Sequence, residues 1–598
     1  METGMMYGVY SVSEVKDECA RQELTYDELV FRATCAYLGE IDADMPPSPV
    51  RLKSEILDLT NACVDLYNLG EEDVNAPPGA KASDRFPFAK TAGDRFRKGT
   101  MLLPVQVALV IHRLHRAVCV CWSGGDDDGN YDVGVYQSDG ANEGCYDVSS
   151  DCLERLVRRY NFAATNRDVA ETVSALRVIC PRAERCTDRD LVAVNNGVFD
   201  YKRKILMPFD PDYVFTSKSH VDYVDGAVNP VIHNDDDGTD WDVESWMSEL
   251  SDDPEVVELL WEILGAIIRP NVSWNKTAWF YSTLGNNGKG TLCVLMRNLC
   301  GAGAWASIPL KAFSKEFMLE PLTRVSAVIT DENDTGTFVD DAAALKSIIT
   351  QDPFQINRKF KDPRTLMFHG FMVQCVNELP RLRDRSESMY RRLTVVPFDK
   401  RFEGRERKYI KSDYLQRREV LEYALYRVLH DMTYYELSEP EACRDMLDEY
   451  RIVNDPVRQF CEDALPKLSW DAVSWEDLYK LYRGWFAKHV PSGNPLMKPA
   501  FLRDVKRVLM DFADWDVADN AVSTAGKCDY PEPLIIEYDV RDMRNRRYLG
   551  SDPSKVCTPD VPKRIRGIVR AAGAFAVRRD VSGCYLQGHD PEEGNEDD

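Results

Sequence analysis

The feature that most constrains the fold is an apolar, aromatic run followed at once by a glycine-rich turn and an apolar helical pattern. Ala278-Trp279-Phe280-Tyr281 reads as a buried strand, and Leu292, Val294, Leu295 and Leu299 recur as on one face of a helix. Between them lies Ser282-Thr283-Leu284-Gly285-Asn286-Asn287-Gly288-Lys289-Gly290-Thr291. Strand, Gly-rich loop and helix in that order is the layout of a phosphate-binding loop. Backbone N–H groups at a helix N-terminus hold polyphosphate, and the lysine reaches the outer phosphates. The expected nucleotide-binding residues are therefore Gly285, Asn286, Asn287, Gly288, Lys289, Gly290 and Thr291. The spacing departs from the common G-x-x-x-x-G-K-[ST] pattern, because Thr283 takes its first position and Gly290 its last. The hydroxyl arrives one residue late, at Thr291, leaving Thr291 or water to supply that Mg²⁺ ligand.

Three further motifs follow in order. Ala327-Val328-Ile329-Thr330 reads as a buried strand ending in Asp331-Glu332. Acids at the C-terminal end of a strand lie where parallel α/β sheets bind ligands. Asp331 is expected to hold Mg²⁺, directly or through water, and Glu332 to orient an attacking water. A third strand, residues 370–376, ends in Asn377, a neutral amide able to sense a γ-phosphate without competing for the metal. Arg391-Arg392 then precede the strand Leu393-Thr394-Val395-Val396-Pro397-Phe398. In a ring of nucleotide-binding subunits either arginine could reach the neighbour's γ-phosphate and stabilise charge developing during phosphoryl transfer.

Composition narrows the class. The 598 residues imply several domains, roughly three or four. No segment reaches the ~18 to 20 apolar residues of a membrane span. The best apolar stretch, residues 101–111, is short and runs into His112, Arg113, His115 and Arg116. The N-terminus, with Glu2, Glu14 and Asp17, lacks the pattern of a signal peptide, so a soluble, cytoplasmic protein without membrane contact is expected. The 17 cysteines include no C-x-x-C pair and read as reduced core thiols, and the eight histidines show no ligand spacing, so no structural metal is expected. A net charge of −25 disfavours nucleic acid in bulk, but basic clusters at Arg391-Arg392, 544–547, 563–570 and Arg578-Arg579 allow a local basic channel.

The expected architecture is multidomain α/β: a central P-loop motor with a parallel sheet, preceded by a mixed α+β domain and followed by a winged-helix domain. Residues 1–85 read as a helical region, with helices at 26–38 and 51–69 broken by proline clusters. Residues 86–240 mix strands and helices, include a strand meeting an Asn196-Gly197 turn, and close in an acidic linker at 234–240. Residues 241–400 alternate strand and helix as the motor core, and 401–455 form a helical connector with a helical run over 413–451. Residues 456–588 carry two amphipathic helices, the second over 500–510 with Arg503, Lys506 and Arg507 on its polar face, and a strand pair near 534–538. The acidic tail 589–598 is expected to be disordered.

Taken together, Gly285 to Thr291, Asp331-Glu332, Asn377-Glu378-Leu379-Pro380 and Arg391-Arg392-Leu393 through Phe398 resemble superfamily 3 helicases. The branch is the C-terminal part of phage, plasmid and poxvirus-type helicase–primases. Asn196-Gly197-Val198-Phe199-Asp200 with residues 208–213 resembles the domain preceding the motor there. Asp455-Pro456-Val457-Arg458-Gln459-Phe460 with Leu478, Tyr479 and Trp485 is similar to its C-terminal extension. The resemblance covers residues 100–515. It implies an AAA+-like homohexameric ring that couples Mg-ATP hydrolysis to movement along single-stranded DNA and unwinding of forked DNA, working beside a primase or polymerase of the same replicon.

The family also builds a hairpin into the ring's pore. The matching residues here imply DNA contacts from Lys346, Arg358, Lys359 and Lys361, with Phe360 among the cations for base stacking. Residues 1–100 hold no histidine and are short for a polymerising primase, so a helicase without priming activity is expected. The alternative is an AAA+ origin-binding loader that does not unwind processively.

Overall fold

The computed structural model describes residues 6–122, 130–315, 317–334, 338–339, 342–358, 361–382, 384, 386–404, 406–490 and 495–574. The acidic tail at 589–598 lies outside them, as do Lys359 and Phe360 and the side chain of Lys361. The chain divides into two compact units, Met1–Leu447 and Asp448–Asp598.

The first unit opens with helices Val12–Ala20, Tyr26–Glu40 and Pro49–Leu69. Two of their starts are reciprocal caps. Ser11 and Thr25 accept from the backbone N–H of Glu14 and Glu28, whose carboxylates accept in return from the cap N–H. Cys35, Leu38, Leu52 and Ile56 of these helices share one core with the helix Pro104–Leu114, so the expected division at residue 85 runs through a common core. The apolar stretch at 101–111 is spent on that core, and no helix among the described residues is long and apolar enough to cross a membrane.

Strands β1 (Val118–Cys121), β2 (Tyr131–Tyr136), β3 (Tyr146–Asp147) and β4 (Arg182–Glu184) form a sheet in the order β3-β2-β1-β4, with only β1–β4 parallel. Next come β5 (Leu191–Val194), β6 (Gly197–Asp200) and β7 (Ile205–Met207), an antiparallel meander. The hairpin expected from the Asn-Gly pair is present, shifted by one residue. Val194 pairs with Gly197, so Asn195-Asn196 make the turn and the glycine opens the second strand. The acidic stretch 234–240 is not a linker. It is the turn and arms of a hairpin between β8 (Ile232–Asn234) and β9 (Thr239–Trp241), closed by His233 Nδ1 at 2.7 Å from Asp240 Oδ1.

The larger sheet is built from β10 (Thr277–Tyr281), β11 (Trp305–Ala306), β12 (Ala327–Thr330), β16 (Phe371–Val376) and β18 (Leu393–Pro397). Its order is β11-β12-β16-β10-β18 and every pairing is parallel. Strands β12, β16 and β18 are buried along their whole length. Both faces are covered, so these strands read as unbroken apolar runs rather than alternating ones. Helices Pro254–Ile268 and Lys289–Cys300 pack against the sheet and each other, and Leu259, Leu264, Leu292, Leu295, Ile329 and Val373 meet in one core.

Between β12 and β16 the chain forms β13 (Phe338–Val339), the helix Ala343–Thr350 and an antiparallel hairpin of β14 (Phe354–Arg358) and β15 (Lys361–Leu366). Strand β17 (Arg381–Leu382) pairs in parallel with β13. The run expected to be helical over 413–451 is broken. It comprises a 3₁₀ turn at Tyr414–Gln416, a helix Arg418–Tyr426, a π turn at Arg427–Asp431, and a helix Glu441–Val453 after an irregular stretch. Of the apolar positions spaced to share one side, Leu415, Val420, Ala424, Leu425 and Val428 are buried and Leu421 is half-buried.

The second unit runs helix Pro456–Ala464, β19 (Ala472–Ser474), helix Trp475–His489, helix Lys498–Val508, β20 (Trp515–Ser523) and β21 (Arg564–Arg570). Its antiparallel sheet has the order β19-β21-β20. Phe460, Tyr482, Trp485, Phe501, Trp515 and Ile568 are buried together in its core. The strand pair expected at 534–538 is instead a short helix, Leu534–Glu537. Pro533 at φ −59° starts it, and the Leu534 N–H donates to Glu532 Oε1 at 3.3 Å. A preset helical φ and an acceptor for an otherwise orphaned first-turn N–H favour helix over strand.

Candidate nucleotide site at the sheet edge

The parallel sheet carries three motif-bearing strands side by side. Strand β16 lies between β10 and β12, so the loop after β10, the acids after β12 and Asn377 after β16 emerge at the same C-terminal edge. Open α/β sheets bind ligands at that edge.

The loop is shaped by its own side chains. Asn287 Nδ2 donates to the Leu284 carbonyl at 2.5 Å, and the Lys289 N–H donates to Asn287 Oδ1 at 3.3 Å. Asn286 takes a left-handed φ of +54°, and its Nδ2 donates to Glu406 Oε1 at 3.0 Å. Gly288 stands at φ +89° as the residue before the helix, and a Cβ there would fall 2.6 Å from Leu250 Cδ2. Only glycine meets both demands. The helix then opens at Lys289 with its first N–H groups available to an anion.

Lys289 is buried, with 6% of its surface exposed. Its Nζ donates to Asn377 Oδ1 at 3.1 Å and to the Ser282 carbonyl at 3.4 Å. Burial lowers its pKa below the ordinary lysine value, opposed by the nearby Cys375 and Asp331. Both bonded acceptors are neutral, so neither hydrogen bond pairs the ammonium with a carboxylate.

Asp331 is half-buried, and Arg297 Nη1 stands 3.8 Å from its Oδ2. A Cβ on Gly290 would lie 3.0 Å from Asp331 Oδ1 and 3.3 Å from Oδ2. The glycine that breaks the loop pattern is thus the residue that lets the acid approach the helix start. Thr291 sits partly buried in the first helical turn, and Glu332 is exposed just beyond Asp331. Asn333, which carries no motif, ties this segment down. Its Nδ2 donates to Gln374 Oε1 and to the Cys375 carbonyl, each at 3.0 Å, and its Oδ1 accepts from the Leu310 N–H at 2.8 Å.

The two arginines separate clearly. Arg392 Nη1 donates to Ser388 Oγ at 2.7 Å and to the Ser388 carbonyl, which ties it to the helix just before it. Arg391 is exposed. Two of the basic residues expected at a DNA-facing hairpin, Lys346 and Arg358, are also engaged. Lys346 Nζ donates to Asp384 Oδ2 at 2.6 Å. Arg358 Nη1 lies 4.0 Å from Asp132 Oδ1, its side chain turned toward β2 and only 14% exposed.

Asp132 gathers more than Arg358. Arg364 of β15 donates Nη2 to Asp132 Oδ1 at 2.7 Å and Nη1 to Oδ2, a two-pronged pair. Trp122 Nε1 donates to Asp132 Oδ2 at 3.2 Å, and its ring lies 5.6 Å from the Arg364 guanidinium. Asn130 Nδ2 donates to the Thr365 carbonyl and Arg185 Nη2 to that of Met367, so the hairpin base is fastened to the β1–β4 sheet. Nothing in the sequence marks this clamp, because a pair 232 residues apart leaves no local pattern.

Comparison with known proteins divides along the same line. Residues 108–264 match the family model described as "D5 N terminal like". Residues 280–392 match a family of unknown function, DUF5906. No curated protein matches the chain. Among solved structures it is similar to the apo structure of the NrS-1 C terminal region (305–718), at 11% identity and a TM-score of 0.37, covering 71% of this chain and 97% of that one. Two further forms of the same region give 12% and 0.34 over 73% and 94%, and 14% and 0.37 over 74% and 94%. Residues 108–264 thus carry a D5 N-terminal-like segment, and 280–392, which hold every candidate site residue from Gly285 to Arg392, a segment of a family whose function is unknown.

Proposed function

We propose that this chain is the ATP-driven motor of a phage-type primase–helicase system, a replicative DNA helicase of a virus or mobile element. The observation that carries the reading is the contact at 3.1 Å between Lys289, which opens the helix after β10, and Asn377, which follows the adjacent β16, itself beside the β12 that leads into Asp331-Glu332. The D5 N-terminal-like segment immediately upstream supports the same reading.

In this account the loop N–H groups and Lys289 hold the phosphates of ATP. Burial strengthens the lysine's field, and its neutral partners leave it free to serve an anion. The residues fit a Mg²⁺ ion: Gly290 leaves the space beside the Asp331 carboxylate that a larger residue would fill, and Thr291 lies on the same first turn. Bound there, the metal would supply charge neutralisation between the outer phosphates. Glu332 orients the attacking water, and Asn377 links the lysine to the reacting end. Arg391, exposed where Arg392 is tied to Ser388, is the arginine that reaches a neighbouring subunit's nucleotide in a homohexamer. Lys346, Arg358, Lys359 and Lys361 are the residues that meet single-stranded DNA in this account, with the Asp132–Arg364 clamp holding the base of the β14–β15 hairpin.

A second reading, an origin-binding loader, draws on the second unit. Its helix, strand, two helices and two strands, with β21 between β19 and β20 and the short helices Leu534–Glu537 and Pro553–Val556 inserted between the last two strands, support a winged-helix-like, duplex-binding role. Strand displacement on a forked duplex separates the two. The helicase reading predicts ATP-dependent unwinding that Lys361→Ala impairs, whereas DNA-stimulated hydrolysis without unwinding supports the loader.

A further inference from the structure

Directly beneath the phosphate loop three soft and hard metal donors converge. Cys293 lies on the helix Lys289–Cys300, Cys375 is in β16 two residues before Asn377, and Asp331 follows β12. The two sulfurs are 3.4 Å apart, and the sulfurs and an Asp331 carboxylate oxygen all lie within 4.8 Å of one another. Two sulfurs on one tetrahedral zinc stand about 3.8 Å apart, given Zn–S bonds of about 2.3 Å. Among the described residues no other group of three such donors meets this spacing. Both cysteines are shielded, at 0% and 2% exposure, while Asp331 opens the cluster toward solvent.

Charge balance suits a divalent cation. Two thiolates and a carboxylate carry three negative charges, which the ion and the Lys289 ammonium neutralise together. The ordinary Mg²⁺ site of a phosphate loop offers oxygen ligands alone, and thiolates select a softer ion.

We propose that Cys293, Asp331 and Cys375 bind a thiophilic divalent cation of the zinc class, and that its presence withdraws Asp331 from Mg²⁺ and stops nucleotide turnover. Binding releases one proton from each thiol and no redox change is involved. The inhibitory half rests on the ATPase reading above, and the binding half does not.

The test is a Co²⁺ titration of the reduced full chain, reading the near-ultraviolet thiolate-to-cobalt absorption. Wild type should show a saturable band worth one ion that Zn²⁺ displaces, lost in Cys293→Ser and in Cys375→Ser. Cys293→Ala, which keeps an apolar side chain, replaces the serine variant should that fail to fold by circular dichroism. A band unchanged in both variants, or none in wild type, overturns the site. In parallel, Zn²⁺ should inhibit Mg-ATP hydrolysis, with the half-inhibiting concentration raised at least tenfold in the Cys293 variant. Cobalt binding with no ATPase in wild type would retain the site and reject the motor reading. ATPase equally sensitive to Zn²⁺ in both proteins would reject the inhibition.

Discussion

Replacing Gly288 with alanine tests the loop at the atom where it is tightest. The residue stands at φ +89°, and a Cβ would lie 2.6 Å from Leu250 Cδ2, itself 1% exposed in the core and unable to swing into solvent. The left-handed backbone costs an alanine about 1–2 kcal/mol. Forcing a methyl into occupied core costs about 1–3 kcal/mol more. The total of about 2–5 kcal/mol corresponds to a loss of at least about thirtyfold if it falls on the binding-competent loop. Equilibrium binding of a fluorescent ATP analogue reads that loss, and urea denaturation reads any share borne by the fold. Leu250→Ala separates the two causes. In its background the steric part is gone, so adding Gly288→Ala costs only the backbone share, and the double-mutant cycle shows a coupling of about 1–3 kcal/mol. Nucleotide affinity within twofold of wild type, with stability unchanged and the two substitutions additive, would refute the assigned geometry.

Other consequences follow from groups outside the loop. Arg364→Ala leaves Asp132 with its two-pronged partner gone. Removing one member of a buried pair costs about 3–5 kcal/mol, and Asp132 at 23% side-chain exposure places the loss near the lower end. Urea denaturation should show it, with Arg364→Lys intermediate because an ammonium cannot make both bonds; a loss below about 1 kcal/mol for the alanine variant would contradict the clamp. Glu532 in the second unit is fully buried and accepts from the N–H groups of Ser469, Trp470 and Leu534. Burial pushes its carboxyl up to about 7, the hydrogen bonds opposing. A carboxyl raised in the folded state binds more protons there than when unfolded. Its stabilising contribution is therefore complete below the unfolded value near 4.5 and is lost as pH rises through about 7. Unfolding of the second unit should grow easier by about 3 kcal/mol between pH 4 and pH 8, and Glu532→Gln should flatten that dependence; an unchanged slope in the variant would refute it.

The five-stranded parallel sheet was legible because its strands are buried on both faces. Residues 278–281, 327–330, 371–376 and 393–397 are continuous apolar runs, and each motif stands immediately after such a run or, for Arg391-Arg392, before one. The hairpin at 354–366 was expected from the family resemblance rather than from the residues themselves. Strand β20 was not, since most of its residues are exposed and its apolar positions do not alternate. Pro533 and Glu532 turned an apolar Leu-Ile-Ile that reads as strand into a helix. The acidic run at 234–240 has a linker's composition, yet His233, Asp237 and Asp240 make it a closed turn. Charge spacing cannot say where a cation's partner lies, so the ion pair of Lys346 with Asp384 left no sign in the sequence. Gly290 looked like a defect in the loop until Asp331 was found against it.

The most direct measurement of the central claim is Mg-ATP hydrolysis by the purified full chain and by Lys289→Ala, with folding of the variant verified by circular dichroism. The account predicts turnover by the wild-type protein and its loss to background in the variant, because Lys289 supplies the charge that holds the outer phosphates. A folded Lys289→Ala that hydrolyses ATP at the wild-type rate, or a wild-type protein with no turnover, would contradict it.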